Sequence, residues 1–177
     1  MKCILAAAVL DDSYALSRAG FQSLSQLLQL MEAYRGEDNF SVTCTLTDIC
    51  HVVARTLYDV SPRHRELFLK FACTLFEETG QRLGWEPRAG EGHVVSMHRA
   101  LVQGALVSFG HEPTIREAES RFRRFAAGDA SAIPADMRRA AYRAAMRGCT
   151  EKEPWAYDAL LKIFDENDLM EEKGRVS

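Results

Sequence analysis

The sequence contains no Cys-x-x-Cys pair, and its five cysteines, Cys3, Cys44, Cys50, Cys73 and Cys149, are odd in number and dispersed. That usage excludes a secreted disulfide framework and a zinc ribbon, and fits a reducing, cytoplasmic setting. No apolar stretch approaches the roughly 20 residues needed to span a membrane. The apolar run over residues 3–10 is too short, and meets Asp11 and Asp12 without a small-residue cleavage site, so it does not read as a secretory signal. Charge of one sign is also scarce. Lys and Arg number 22 against 25 Asp and Glu, a net charge of −3 that calls for neither nucleic acid nor an anionic membrane. With 47% hydrophobic and 27% charged residues, the composition is that of a folded globular chain. A chain of 177 residues is long enough to fold without a metal or disulfide staple.

Catalytic signatures are missing as well. There is no G-x-S-x-G elbow, no phosphate-binding P-loop and no G-x-G-x-x-G turn. None of the five histidines, His51, His64, His93, His98 and His111, forms a metal-ligand pair. His93 and His98 are five residues apart, about 140° around a helix, whereas a metal pair needs a spacing of three or four. His98 falls on an apolar stripe with Val94, Leu101 and Ala105, where a hydrogen-bonded core histidine is expected. His111-Glu112 opens like H-E-x-x-H, but Ile115 occupies the second ligand position and Pro113 should break the helix. Asp11 and Asp12 are expected to cap a following helix rather than to carry acid–base chemistry. No catalytic, cofactor-binding or metal-ligating residue is therefore assigned. The segment 116–147 carries a net charge of +4 and the segment 151–177 a net −4. Glu117 with Arg121 and Glu119 with Arg123 consume part of the positive charge at i, i+4, so this pattern suits solvated faces or a partner surface better than a nucleic-acid groove.

What the sequence has in abundance is helical periodicity. Leu24, Leu27, Leu28, Met31 and Tyr34 form one stripe, and Val42, Leu46, Ile49, Cys50, Val53 and Leu57 a second. Phe68, Phe71, Ala72, Leu75 and Phe76 mark a third, residues 94–109 a fourth, and Ile115, Ala118, Phe122 and Phe125 a fifth. Met137, Ala140, Ala141, Ala144 and Ala145 mark a sixth, and Trp155, Ala159, Leu160, Ile163 and Phe164 a seventh. No window alternates with period two. Ser61-Pro62 reads as an N-cap and first helical residue, Thr114/Glu117 and Thr150/Glu153 have capping-box spacing, and Pro134 and Pro154 suit first turns. Residues 84–92, with Pro87, Gly90 and Gly92, are expected to form a mobile surface turn. Seven or eight helices joined by short turns predict an all-α chain of antiparallel hairpins stacked as a HEAT- or armadillo-like α-solenoid. Asp168 and Glu171 form another capping box with only a short stretch of chain behind it, the start of a truncated helix over 168–177.

Several blocks go beyond generic helix: L-D-D-S-Y-A-L from Leu10, the stretch 27–34, L-G-W-E-P from Leu83, F-G-H from Phe109 and the stretch 157–164. In order and spacing they resemble the C-terminal helical domain of gluzincin aminopeptidases of the puromycin-sensitive type, across nearly all of residues 8–177. That resemblance implies a bowl of HEAT-like helix pairs closing over a zinc-bearing catalytic domain, with residues 1–177 as the N-terminal part of a longer domain. It implies the parent's catalytic domain and chamber peptides as partners, a cytoplasmic location, peptide catabolism, and zinc only in the preceding domain. The family's H-E-x-x-H and G-A-M-E-N motifs and its transition-state Tyr have no counterpart in these residues, so no catalytic role is carried over. A free-standing α-solenoid scaffold for a protein partner is the alternative. If the chain is the first part of a longer solenoid, the helix bearing Trp155, Leu160, Ile163 and Phe164 is expected to present an uncovered face that favours self-association.

Overall fold

The computed structural model describes residues 2–151 and 153–166, and these form eight α-helices: α1 (Lys2–Arg18), α2 (Leu24–Glu32), α3 (Phe40–Val60), α4 (Pro62–Leu83), α5 (His93–Phe109), α6 (Glu112–Ala126), α7 (Arg138–Arg147) and α8 (Trp155–Glu166). A 3-10 turn, Ala135–Met137, leads into α7. Among the described residues there is no strand, only an isolated bridge between Thr150 and Glu153. The seven apolar stripes lie on helices apart from Tyr34, in the turn after α2, and Met137, in the 3-10 turn, and the run ahead of Asp11 supplies the eighth. The expected helix start at Asp168 lies outside the described residues.

Helix starts follow local hydrogen bonding more closely than the sequence spacing suggested. Asn39 caps α3, its Oδ1 accepting from the Ser41 and Val42 amides at 3.1 and 3.3 Å. Ser23 and Gln26 form a reciprocal capping box on α2. By contrast, Asp11 and Asp12 sit inside α1 and cap nothing. Pro113 does not break a helix either. It occupies the first turn of α6, where its missing N–H would have had no intrahelical acceptor. The expected Thr114/Glu117 box is consequently absent: the Thr114 hydroxyl pairs with His111 Nδ1 at 2.8 Å, and Glu117 pairs with Arg121. Thr150 Oγ1 does accept from the Glu153 amide at 3.2 Å, but within the bridged turn ahead of α8 rather than at its start. Pro154 also lies just before α8, its carbonyl accepting from the Asp158 amide. Between α5 and α6 the chain reverses at Gly110, whose φ of 91° suits glycine, and its amide reaches back to the Leu106 and Val107 carbonyls.

Short connections force each helix to return along its predecessor. Only Ser61 separates α3 from α4, and the Thr79 hydroxyl at the far end of α4 donates to the Glu37 carbonyl just before α3. Gln103 of α5 likewise reaches Gly80 of α4, and Phe122 of α6 meets Tyr142 of α7 edge-on at 5.6 Å. Alternate helices therefore run parallel. Thr43 and His51 of α3 lie beside His98 and Phe109 of α5, and Ser96 and Ser108 of α5 beside Asp136 and Arg143 on the α7 side. With α1 packed on α3, the helices α1, α3, α5 and α7 make one continuous layer, and the even-numbered helices return across it. The stacking is solenoid-like; its HEAT character rests on the sequence resemblance. One core runs from α1 to α5 around Leu27, Met31, Leu46, Phe76 and Leu106, and a second gathers Phe122, Ile133, Met137, Tyr142 and Leu160.

The segment 84–92 is anchored, not loose. Arg99 of α5 is only 2% exposed, and it forms a two-pronged ion pair with Glu91 while its Nε donates to the Leu83 carbonyl at 3.1 Å. A buried guanidinium needs a counter-ion, and this loop supplies it. Two further ties hold the segment: Arg88 Nη2 to the Arg82 carbonyl at 2.6 Å, and Glu86 to Arg121, whose guanidinium lies over the Trp85 ring.

Two predictions follow from this packing. The hydrogen bond from Arg99 holds the Glu91 carboxyl at about 2, against an ordinary 4.5. A carboxyl lowered on folding stabilises the native state above its unfolded value, and that contribution is lost as the pH falls from about 4.5 towards 2. Glu91→Gln should therefore lower stability at neutral pH and flatten the acid-unfolding profile in that window, and it should expose Arg88 to trypsin. Equal acid profiles for the two proteins would show that the pair contributes nothing. Separately, Phe122→Ala, at a position fully buried in the second core, should cost about 3–5 kcal/mol in urea unfolding.

Candidate functional site

The basic segment between residues 116 and 147 spends much of its charge inside the molecule. Arg121 pairs with Glu86 and Glu117 at 2.6 and 2.7 Å, and Arg124 with Asp129 at 3.6 Å. Burial alone would lower the Arg121 pKa, but its two carboxylate partners carry it above the ordinary value. Arg123 lies over the Trp155 ring at 3.9 Å and Arg138 over Phe125 at 4.9 Å. Arg143 donates to Ser108 Oγ at 2.7 Å and Arg147 to the Val107 carbonyl at 3.3 Å, complementing the C-terminal end of α5.

The structure keeps the histidines apart. His98 is buried with Nε2 3.0 Å from Thr43 Oγ1, the hydrogen-bonded core position its stripe implied, and burial lowers its pKa. His51 Nδ1 meets the Thr47 carbonyl at 2.9 Å, and His64 pairs with Ser61. His93 is the exposed first residue of α5, away from the buried His98. A zinc centre needs its side-chain donors about 2.0–2.3 Å from one point. Among the described residues no three His, Cys, Asp or Glu side chains converge in that way.

One depression, about 310 Å³, opens between α4, α5 and α6, lined among others by Glu77, Trp85, Gln103, Leu106, His111 and Thr114. The Gln103 amide is committed to the Gly80 and Gly84 carbonyls at 2.9 and 3.1 Å. His111 stands between Glu77, 3.7 Å from Nε2, and Thr114, 2.8 Å from Nδ1. A carboxylate, imidazole and hydroxyl in that order suggest a charge-relay triad. Here Thr114 is buried in the first turn of α6 at the edge of the depression, and its hydroxyl is committed to the His111 ring. The thiols of Cys44, Cys50 and Cys73 are all held towards the protonated form. Burial, helped by the charge of Glu77, pushes the neighbouring Cys73 up to about 11 despite the opposing pull of Arg147. Burial likewise raises Cys50, and raises Cys44 together with the Asp48 charge. No local sequence pattern marks Glu77 with His111, because the pair is assembled by the return of α4 along α5.

Apolar exposure is concentrated elsewhere. At one end of the stack, Leu5, Val9 and Leu16 of α1 point outward, joined by Leu24 and by Phe21, which is 84% exposed. At the other end the sequence expectation needs correction. Leu160 is buried, and Trp155 and Ile163 pack against the second core, so the outward apolar residues of α8 are Tyr157 and Leu161. On α5, Val94, Val95 and Met97 are exposed. None of the helices among the described residues is long and apolar enough to cross a membrane.

Residues 4–176 match the ERAP1-like C-terminal domain. The chain is 37% identical over 169 residues to Aminopeptidase M1-A of Oryza sativa subsp. japonica, and 37% identical over 169 residues to Aminopeptidase M1 of Arabidopsis thaliana. Each alignment covers 95% of this chain and 19% of the relative. The Puromycin-sensitive aminopeptidase of Caenorhabditis elegans is 28% identical over 117 residues, 66% of this chain and 12% of that protein. The chain thus spans 19% of the length of the plant relatives it matches.

Proposed function

The chain belongs to the ERAP1-like C-terminal domain family, and from that premise we propose that it is a non-catalytic element of a cytoplasmic zinc aminopeptidase of the gluzincin, puromycin-sensitive type that degrades peptides. In that parent it contacts the catalytic domain and helps to wall the chamber in which peptides are held. Residues 1–177 form the N-terminal part of a longer HEAT-like domain. The zinc ion and its ligands reside in the parent's catalytic domain, and this chain contributes shape and contact surface.

The observation that carries this reading is the match of nearly the whole chain to a C-terminal domain. The open α1–α2 end supports it: five large apolar side chains there have an uncovered face of the kind a neighbouring domain fills. A free-standing scaffold is the second reading, favoured by the exposed apolar residues of α5.

Grafting tests the proposal. In Arabidopsis Aminopeptidase M1, the segment matching this chain is replaced by residues 4–176, and cleavage of an aminoacyl-arylamide is measured. The graft should stay active, while the isolated chain should neither cleave the substrate nor bind stoichiometric zinc. Adding Leu16→Asp with Phe21→Asp to the graft should lower activity about tenfold or more, since each buried apolar side chain contributes roughly 1.5–3 kcal/mol to such a contact. A folded but inactive graft, or an isolated chain that binds zinc and hydrolyses the substrate, would refute the assignment.

A further inference from the structure

Helix α5 is covered by α4 on one side and flanked by α3 and α7 in the parallel layer, which leaves one stripe facing outward. That stripe is Val94, Met97, Leu101, Gly104 and Ser108, with successive spacings of three, four, three and four residues. Val94 is 58% and Met97 41% exposed, and Leu101, Gly104 and Ser108 are half-buried between the flanking helices. Alternating steps of three and four are the a and d positions of a heptad. Such a narrow seam is what a second helix, crossing at a shallow angle, packs against.

Gly104 sharpens the argument. It lies inside α5, where glycine weakens a helix relative to alanine. A Cβ added there would meet nothing within 4 Å, and its φ is not in the left-handed region. Neither internal packing nor backbone conformation therefore needs glycine at this position. What its missing side chain does allow is the close approach of another backbone from outside.

The flanks of the seam differ in charge. On the α7 side stand the exposed Arg139 and Arg143, the latter fixed at the seam by its bond to Ser108, against one exposed acid, Asp136, which accepts from Ser96 Oγ near the Val94 end. On the α3 side the residues beside α5 are the uncharged Thr43 and the half-buried His51, and the exposed Asp48 lies further out, in the groove towards α1. We propose that the outward face of α5 is a docking site for an amphipathic α-helix of a partner protein, apolar along its seam and acidic along the flank that meets α7. The proposal stands on the geometry of α5 and does not depend on the aminopeptidase reading.

The test uses the full chain and two fluorescent synthetic helices of three heptads with Leu at a and d. One carries Glu and the other Lys along a single flank, and binding is followed by anisotropy at low and physiological ionic strength. The Glu helix should bind about tenfold or more tightly than the Lys helix, and salt should weaken it. Gly104→Leu should keep or raise the thermal midpoint, because a Cβ there meets nothing within 4 Å and leucine favours helix over glycine, yet weaken the Glu helix by about tenfold as it fills the gap. Met97→Glu should weaken the same helix independently of any change at Gly104, and Arg139→Glu should reverse the preference between the two helices. Equal binding of both helices, or unchanged affinity in folded Gly104→Leu and Met97→Glu, would overturn the proposal. So would a concentration-dependent dimer in sedimentation that Gly104→Leu abolishes, since the occupant would then be a second copy of this chain.

Discussion

The stack depends on how α5 satisfies three polar side chains that it buries in little more than one turn. His98 takes its hydrogen bond from Thr43 of α3, Arg99 takes Glu91 from the preceding loop and the Leu83 carbonyl from the end of α4, and Gln103 takes the Gly80 and Gly84 carbonyls. A buried polar group left without a partner is costly, so each of these side chains admits only one placement of the element it meets. Apolar contact is tolerant of small slides between helices. These bonds are not, and they fix where α3, α4 and the 84–92 segment sit along α5.

Both cores inherit that registration. Leu106 and Phe109 of α5 belong to the first core, with Phe76 of α4 stacked on Phe109 at 5.8 Å. Ala100 packs against the second, and Val107 meets Ile115, Ala118 and Ala144 in a small cluster between α5, α6 and α7. The alanines at 140, 141, 144 and 145 let α7 come close to α5 and α6, where larger residues would hold the helices apart. A change that shifts α5 against α4 is therefore felt at both ends of the molecule.

The helices were legible because their signal is local: an apolar stripe with period 3.6 survives whatever the stripe packs against. The family was legible from short blocks such as D-D-S-Y-A-L and L-G-W-E-P, which keep their order along the chain. Helix ends were less so. Pro113 reads as a breaker until it is known that α6 starts one residue earlier, and Asp11 and Asp12 read as caps until the apolar run before them joins the same helix. The 84–92 segment has the composition of a free loop, and nothing in its residues shows that Glu91 answers a guanidinium in the core. For α8 the stripe was correct but its environment was not: Leu160 and Ile163 face the second core, leaving Tyr157 and Leu161 outside. The pairing of Glu77 with His111 is invisible for a different reason, since it exists only once α4 has folded back beside α5. Site geometry of this kind belongs to the hairpin and not to any window of sequence.

The single-residue link at Ser61 has a kinetic consequence. With Pro62 fixed at the first position of α4 and Ser61 extended, there is no slack between two helices of 21 and 22 residues. Contacts across this hairpin are close in sequence near the link and grow more distant only gradually, so each pairing shortens the loop that the next must close. The α3–α4 hairpin is thus placed to zip from Ser61 outward as an early folding unit, on which α5 then docks through its buried polar side chains. In native-state amide exchange this hairpin and α5 would open last, and α8, held at one edge of the stack, among the first.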